Sequence, residues 1–194
     1  MRADDYDDGN RFVTITIGPI KSTDPAFQAL SPMQVTCIVV DDDTFGVRVT
    51  TPQPPPLYIM EEHARDKEHA VEVRFQLTSK PREDIFLHAS VSDTTEAMFS
   101  PYRIPRKTLK RPIFPLDCGS QQYNSYYSVI LKYNTQNWDK IQALKIASED
   151  DQIDDGPQIV QIGIVQVETK DRHYSALTKA NLNVSAIVIN LDDG

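Results

Sequence analysis

Apolar and polar residues alternate in short runs along most of this chain. Val47-Arg48-Val49-Thr50, Val71-Glu72-Val73-Arg74-Phe75-Gln76-Leu77 and Ile85-Phe86-Leu87-His88-Ala89-Ser90-Val91 place an apolar side chain at about every second position. Val129-Ile130-Leu131 and Leu144-Lys145-Ile146 follow, then the segments from Ile159 to Val167 and from Val184 to Ile189. A period of two with β-branched residues describes a strand with one buried and one wet face. About seven such runs, separated by polar turns, predict an all-β antiparallel two-sheet sandwich. Helical periodicity is nearly absent; the charged stretch from Glu61 to Ala70 could hold a turn of helix but reads better as a solvated loop.

Two stretches break the alternation. Thr51-Pro52-Gln53-Pro54-Pro55-Pro56 cannot sit inside a sheet, because proline has no amide donor; it suits an edge or a crossover. The segment from Arg103 to Tyr126 is too long for an ordinary loop and reads as an insertion. It carries Arg103, Arg106, Lys107, Lys110 and Arg111, the one basic segment of the chain.

Compared with itself, the chain repeats. Asp4-Asp5-Tyr6-Asp7-Asp8-Gly9 reads like Asp151-Gln152-Ile153-Asp154-Asp155-Gly156, an offset of 147 residues. Phe12 to Ile17 lies over Ile159 to Ile164, and Asp24 to Leu30 over Asp171 to Leu177, at the same offset. Both copies close on an acidic run, Asp41-Asp42-Asp43 and Asp192-Asp193, after a register slip of about three residues in the last loop. A period of this size is a whole domain rather than a solenoid unit. The expectation is a tandem repeat in which residues 1–43 are the C-terminal hairpin of a truncated copy and residues 44–194 a complete copy with the insertion at about 103–126. Since an isolated hairpin is marginal in water, residues 1–43 should pack on another chain or on the full copy. The start lacks the apolar stretch of a signal peptide, so either the protein is intracellular or, as the partial first domain favours, Met1 is not the natural start of the mature chain.

Charge narrows the partners. The net charge is −8, with 20 basic against 28 acidic residues. Nucleic acids and anionic membranes require a basic face, so both are excluded as partners. No apolar run approaches the roughly 18 residues that span a bilayer, so no direct membrane insertion is expected. Cys37 and Cys118 lack metal-site or redox spacing and read as independent half-buried thiols, a single disulfide between them being the alternative. His63, His69, His88 and His173 are scattered without ligand spacing. No nucleophile motif or phosphate-binding loop is present, and the carboxylate pairs fall in repeated turns, which points to architecture; the chain reads as no enzyme. Trp138 reads as a core plug, and Asn183-Val184-Ser185 as a glycosylation sequon lying in a strand.

The ordered set Val40-Asp41-Asp42-Asp43, Ser92-Asp93-Thr94-Thr95-Glu96-Ala97, Tyr133-Asn134-Thr135-Gln136-Asn137-Trp138, Glu149-Asp150-Asp151-Gln152-Ile153-Asp154-Asp155-Gly156 and Asp192-Asp193 resembles the Calx-beta domain superfamily. The likeness is to the tandem Calx-beta repeats of large multi-repeat surface proteins, and it covers the chain except about residues 103–126. It implies an immunoglobulin-like sandwich with Ca²⁺ at one end. The matching ligands would be Glu61 or Glu62, then Asp93, then Asp150, Asp151 and Asp154, and finally Asp192 and Asp193. The sequence departs from calcium-sensing members in the acidic turn, where Asp154-Asp155-Gly156 replaces downstream glutamates.

Elementary electrostatics also favours a cation. Two carboxylates about 5 Å apart repel by roughly 3 kcal/mol at an effective dielectric of 20. Ca²⁺ relieves this best, being hard and content with six to eight oxygens in irregular geometry. Solvated turns are the simpler reading of any one acidic run. The functional expectation is a structural or adhesive repeat module of a large multi-domain protein, extracellular or on the cell surface. Ca²⁺ would stiffen repeat junctions, with Asp41, Asp42 and Asp43 locking the hinge. Its partners would be neighbouring repeats or other subunits, engaged through the basic insertion from Arg103 to Tyr126. The alternatives are a cytoplasmic Ca²⁺-sensing regulatory domain and a metal-free intracellular scaffold repeat.

Overall fold

The structure is a computed structural model that describes residues 4–64, 66, 68–100, 121–125, 127–150, 153–177, 182 and 185–192. It divides into two compact units, residues 1–44 and 45–194.

The second unit is a sandwich. One sheet has four strands in the order β3 (Val47–Thr50), β5 (Val71–Leu77), β10 (Gln142–Ser148), β7 (Ala97–Phe99). The other has six, in the order β4 (Leu57–Met60), β12 (Ser185–Leu191), β11 (Gln158–Thr169), β6 (Ile85–Val91), β9 (Ser128–Tyr133), β8 (Gln121–Ser125). The alternation seen in sequence is the burial pattern in space. Val73, Phe75, Leu77, Leu144, Ile146 and Phe99 from the first sheet meet Leu87, Leu131, Val160, Ile162 and Val188 from the second in one core. Trp138, half-buried, packs against the edge of this core rather than within it.

The proline-rich stretch between β3 and β4 is a crossover, carrying the chain from one sheet to the other. β4 then pairs with β12 in parallel, a departure from the expected all-antiparallel sandwich. In β11 a bulge at Ile164/Gln166 shifts the register against β6, so inward parity passes from Ile164 to Val167. Residues 61–63 form a short 3₁₀ turn, the turn of helix this stretch could hold, and its first residue, Glu61, is buried. Within the expected insertion, 121–125 form β8, paired antiparallel to β9; the remainder, including its basic residues, lies outside the described residues.

The first unit holds one hairpin, β1 (Arg11–Ile17) and β2 (Met33–Val39), with a one-turn helix, α1 (Pro25–Gln28), in its loop. It repeats key bonds of the β11–β12 hairpin at its turns. Gly9 has φ 74 and Gly156 φ 75. The Gly9 amide donates to Asp41 Oδ2 at 2.5 Å and the Gly156 amide to Asp192 Oδ2 at 2.8 Å. Asp24 Oδ1 accepts from the Ala26 amide, and Asp171 Oδ1 from the His173 amide, both at 2.9 Å. Arg11 faces Val39 as Gln158 faces Asn190. This pairing matches Asp41 to Asp192 and makes the register slip four residues rather than about three.

A positive φ explains the glycine at both turns. A Cβ at Gly156 would meet nothing within 4 Å, so only backbone strain opposes a side chain there. Gly156→Ala is therefore expected to cost about 1 kcal/mol, and Gly156→Asn less, as urea midpoints would register.

Candidate metal centre

The inward faces of three strands run on past the apolar core and end in polar residues. Leu57 and Ile59 are followed at the same parity by Glu61, Leu144 and Ile146 by Ser148, and Ala186 and Val188 by Asn190; all are buried. The three polar termini lie at one end of the sandwich. Ser148 Oγ donates to the Met60 carbonyl at 2.5 Å, and Asn190 Nδ2 donates to Glu61 Oε1 at 2.6 Å.

Asn190 is the hub. The same Nδ2 donates to Glu96 Oε2 at 3.0 Å. Asn190, Glu96 and Glu61 are 1%, 4% and 6% exposed. Asn190 Oδ1 is buried and has no donor among the described residues. Glu96 also accepts from Thr95 Oγ1, at 3.2 Å. One neutral amide thus bridges two carboxylates removed from water, and an acceptor oxygen of the same amide is left over. Glu149 is also buried; its amide donates to the Glu96 carbonyl at 3.0 Å, and its carboxylate accepts from Tyr127 Oη at 3.3 Å.

The expected ligands divide. Glu61 belongs to this group. Glu62 is exposed and lies 3.4 Å from His63 Nε2. Asp93 is exposed and spent on its own turn, accepting from the Thr95 amide at 3.0 Å and the Thr95 hydroxyl at 2.7 Å. Those bonds hold its carboxyl below the usual range. Asp150 and Asp154 are exposed, and Asp192, half-buried, holds the Gly156 amide. Asp151 and Asp193 lie outside the described residues.

Two buried glutamates, Glu96 and Glu149, fall beside expected aspartates and were not anticipated. Glu96 precedes β7, whose three residues are all buried, so no alternation marks its direction. Asn190 had a legible signal, since it keeps the inward parity of Ala186 and Val188.

In the first unit Asp41, Asp42 and Asp43 do come together. Their carboxylates lie within 4.8 Å of one another, the one acidic group of three so close among the described residues. Asp41 is already engaged: Oδ2 accepts the Asp8 amide at 2.6 Å as well as Gly9, and Oδ1 accepts the Asp43 amide at 3.0 Å. Burial, then the charges of Asp42, Asp41, Asp5 and Asp4, push the Asp43 carboxyl up.

Other expected features sort as follows. Cys37 is exposed rather than half-buried, and Cys118 and Asn183 lie outside the described residues. His63 and His69, scattered in sequence, stack with ring centroids 3.8 Å apart, and His69 Nδ1 lies 3.0 Å from Asp66 Oδ2.

No protein-family model matches the sequence, and no curated protein matches it. Two solved structures align along most of the chain. One is the apo-form Calx CBD1 domain, at 15% identity over 76% of this chain and 98% of that one, with a TM-score of 0.40. The other is a type I cohesin–dockerin complex from Clostridium thermocellum, at 9% identity over 79% of this chain and 99% of that one, with a TM-score of 0.41.

Proposed function

We propose that this chain is a non-catalytic structural repeat module, adhesive or load-bearing, whose sandwich is stiffened at one end by bound Ca²⁺. A single observation carries the cation: Asn190, buried with an unpaired Oδ1, stands between the buried carboxylates of Glu61 and Glu96. Buried carboxylates are costly unless a cation or several donors compensate them. The carboxylates and Asn190 Oδ1 offer oxygens, which suit a hard cation, and Ca²⁺ tolerates irregular geometry better than Mg²⁺ does. Asp41, Asp42 and Asp43 supply a second, more exposed position, since Asp41 already serves its turn.

A tandem array supports a mechanical role. Repetition of the same hairpin, down to its glycine and aspartate, is economical for a protein that extends by adding sandwiches, and a cation at each end would limit bending. Surface or extracellular placement belongs to the same proposal, since millimolar Ca²⁺ is available there.

Calorimetric titration of the chelated protein is expected to give exothermic or endothermic heat saturating at millimolar Ca²⁺ or below, with a rise in Tm. Glu96→Gln should weaken the stronger site at least tenfold, and Asp43→Asn should spare it. No heat and no rise in Tm at millimolar Ca²⁺ would reject the proposal.

A further inference from the structure

The hairpin of the first unit presents the apolar face that its equivalent buries. Val13, Ile15 and Ile17 match Val160, Ile162 and Ile164, identical residues at identical register. The first three are 44%, 50% and 55% exposed; the second three are core. Across the hairpin, Val13 faces Cys37 as Val160 faces Val188, and Ile15 faces Val35 as Ile162 faces Ala186. Val188 and Ala186 are buried, whereas Val35 and Cys37 are exposed. Phe27 stands at the place of Tyr174 behind the same aspartate cap, exposed where Tyr174 is buried.

The outer edges are as informative as the face. β1 and β2 form a sheet of two, so each has one side without a strand neighbour among the described residues. In the second unit those sides are taken by β6, antiparallel to β11, and by β4, parallel to β12. The second unit thus contains the established interface of which the first displays one half.

We propose that the hairpin of residues 4–44 completes a half-sandwich of the same kind as residues 45–150. That half would lay an antiparallel strand on β1, a parallel strand on β2, and an apolar sheet over Val13, Ile15, Ile17, Val35 and Cys37. In the β11–β12 register, Ile15 and Ile17 lie beside the positions of Val91 and Ala89, and Cys37 beside that of Leu57. An exposed hydrophobic strip with both edges open is a poor surface for water and a strong template for strand addition. The partner is chosen by register: a strip that alternates with this spacing, beside a capped Phe27, is complementary to a sandwich interior. No cation enters this inference, so it stands or falls apart from the Ca²⁺ reading.

The test adds the missing half in cis. Residues 45–150 are placed ahead of Asp4 of the otherwise intact chain, in the register by which Asp4 matches Asp151, with Cys118→Ser in both segments so that Cys37 is the only thiol. Thiol reactivity toward a disulfide reagent and amide exchange of β1 are measured in chelator. The extension is expected to slow Cys37 on the order of a hundredfold or more and to protect the β1 amides, as docking into a stable core does. Ile15→Asp in the extended chain should restore both. Unchanged Cys37 reactivity and β1 exchange in the extended chain would overturn the proposal. So would Cys37 protection in the unextended chain that grows with protein concentration, which would assign the face to a second copy.

Discussion

Asn190→Asp is expected to destabilise the chelated sandwich by about 4 kcal/mol, with most of the loss recovered in millimolar Ca²⁺. The substitution is nearly isosteric, so packing changes little. It removes the Nδ2 donor that serves Glu61 Oε1 at 2.6 Å and Glu96 Oε2 at 3.0 Å, and puts a third carboxyl in its place. At about 3 Å and an effective dielectric of 20, each new repulsion would reach roughly 5 kcal/mol if all groups stayed ionised. The cluster avoids part of this by taking up a proton, and leaving buried charge without its partner costs about 3 to 5 kcal/mol. The sign follows from linkage. A carboxyl whose folded pKa is raised is best tolerated below its unfolded pKa, and its penalty grows as pH rises toward the raised folded value. The variant should therefore approach wild-type stability below about pH 4 and fall behind it toward neutrality. Ca²⁺ at a hundred times its Kd would return about 2.7 kcal/mol. Urea denaturation at neutral pH, with and without Ca²⁺, measures both quantities. Loss without rescue would leave the hydrogen-bond geometry standing and sink the cation.

How much of this was legible in the sequence depends on what each residue's neighbours say. The sandwich was legible because β5, β6, β10 and β12 each alternate, and alternation is the physical requirement of a strand between core and water. The hairpin repeat was legible because a glycine at positive φ and an aspartate receiving its amide tolerate few replacements, so both copies keep Gly9 with Asp41 and Gly156 with Asp192. The candidate site was legible only in part. Glu61 and Asn190 extend the parity of Leu57–Ile59 and Ala186–Val188, and parity carried one residue further brings them inside. Asp93 and Asp150 attract attention because they stand in acidic runs, yet runs form at turns, where carboxylates bond to their own backbone. Glu96 and Glu149 beside them are the buried members. Nothing local marks them, since β7 is buried on both faces and residues 147–149 are all buried. Their direction is set by the sheets that converge on them, which is tertiary information. The parallel β4–β12 pair was likewise hidden, because a proline crossover fixes that the chain changes sheet and leaves open which edge it reaches.

Asp171→Ala is expected to cost about 3 to 4 kcal/mol at neutral pH. Asp171 is buried and holds three amides: Arg82 at 2.7 Å, His173 at 2.9 Å and Tyr174 at 3.1 Å. Arg82 belongs to the β5–β6 connection, and His173 and Tyr174 to the loop of the β11–β12 hairpin, so the carboxylate ties the hairpin to the body of the sandwich. It also seats Tyr174, whose hydroxyl donates to the Ser79 carbonyl at 2.7 Å. Alanine would strand three donors and loosen that plug, whereas Asp24→Ala in the first unit removes one exposed bond to Ala26 and should cost under about 1 kcal/mol. Burial pushes the Asp171 carboxyl up, and the amides of Arg82, Tyr174 and His173 together outweigh it and hold the group below the usual range. A depressed carboxyl stabilises the fold above its unfolded pKa and loses that contribution as pH falls through the folded one. The gap between wild type and Asp171→Ala should therefore be full at neutral pH and narrow below about pH 4, the same sense as the Asn190→Asp variant, whose deficit also grows with pH. Urea midpoints of both variants with and without Ca²⁺ separate the two roles of buried oxygen in this sandwich, since only the Asn190→Asp deficit should shrink when Ca²⁺ is added. At Asp171 the charge is satisfied by the chain's own amides. Between Glu61 and Glu96 one amide serves two carboxylates, and it is there that added Ca²⁺ should change the result.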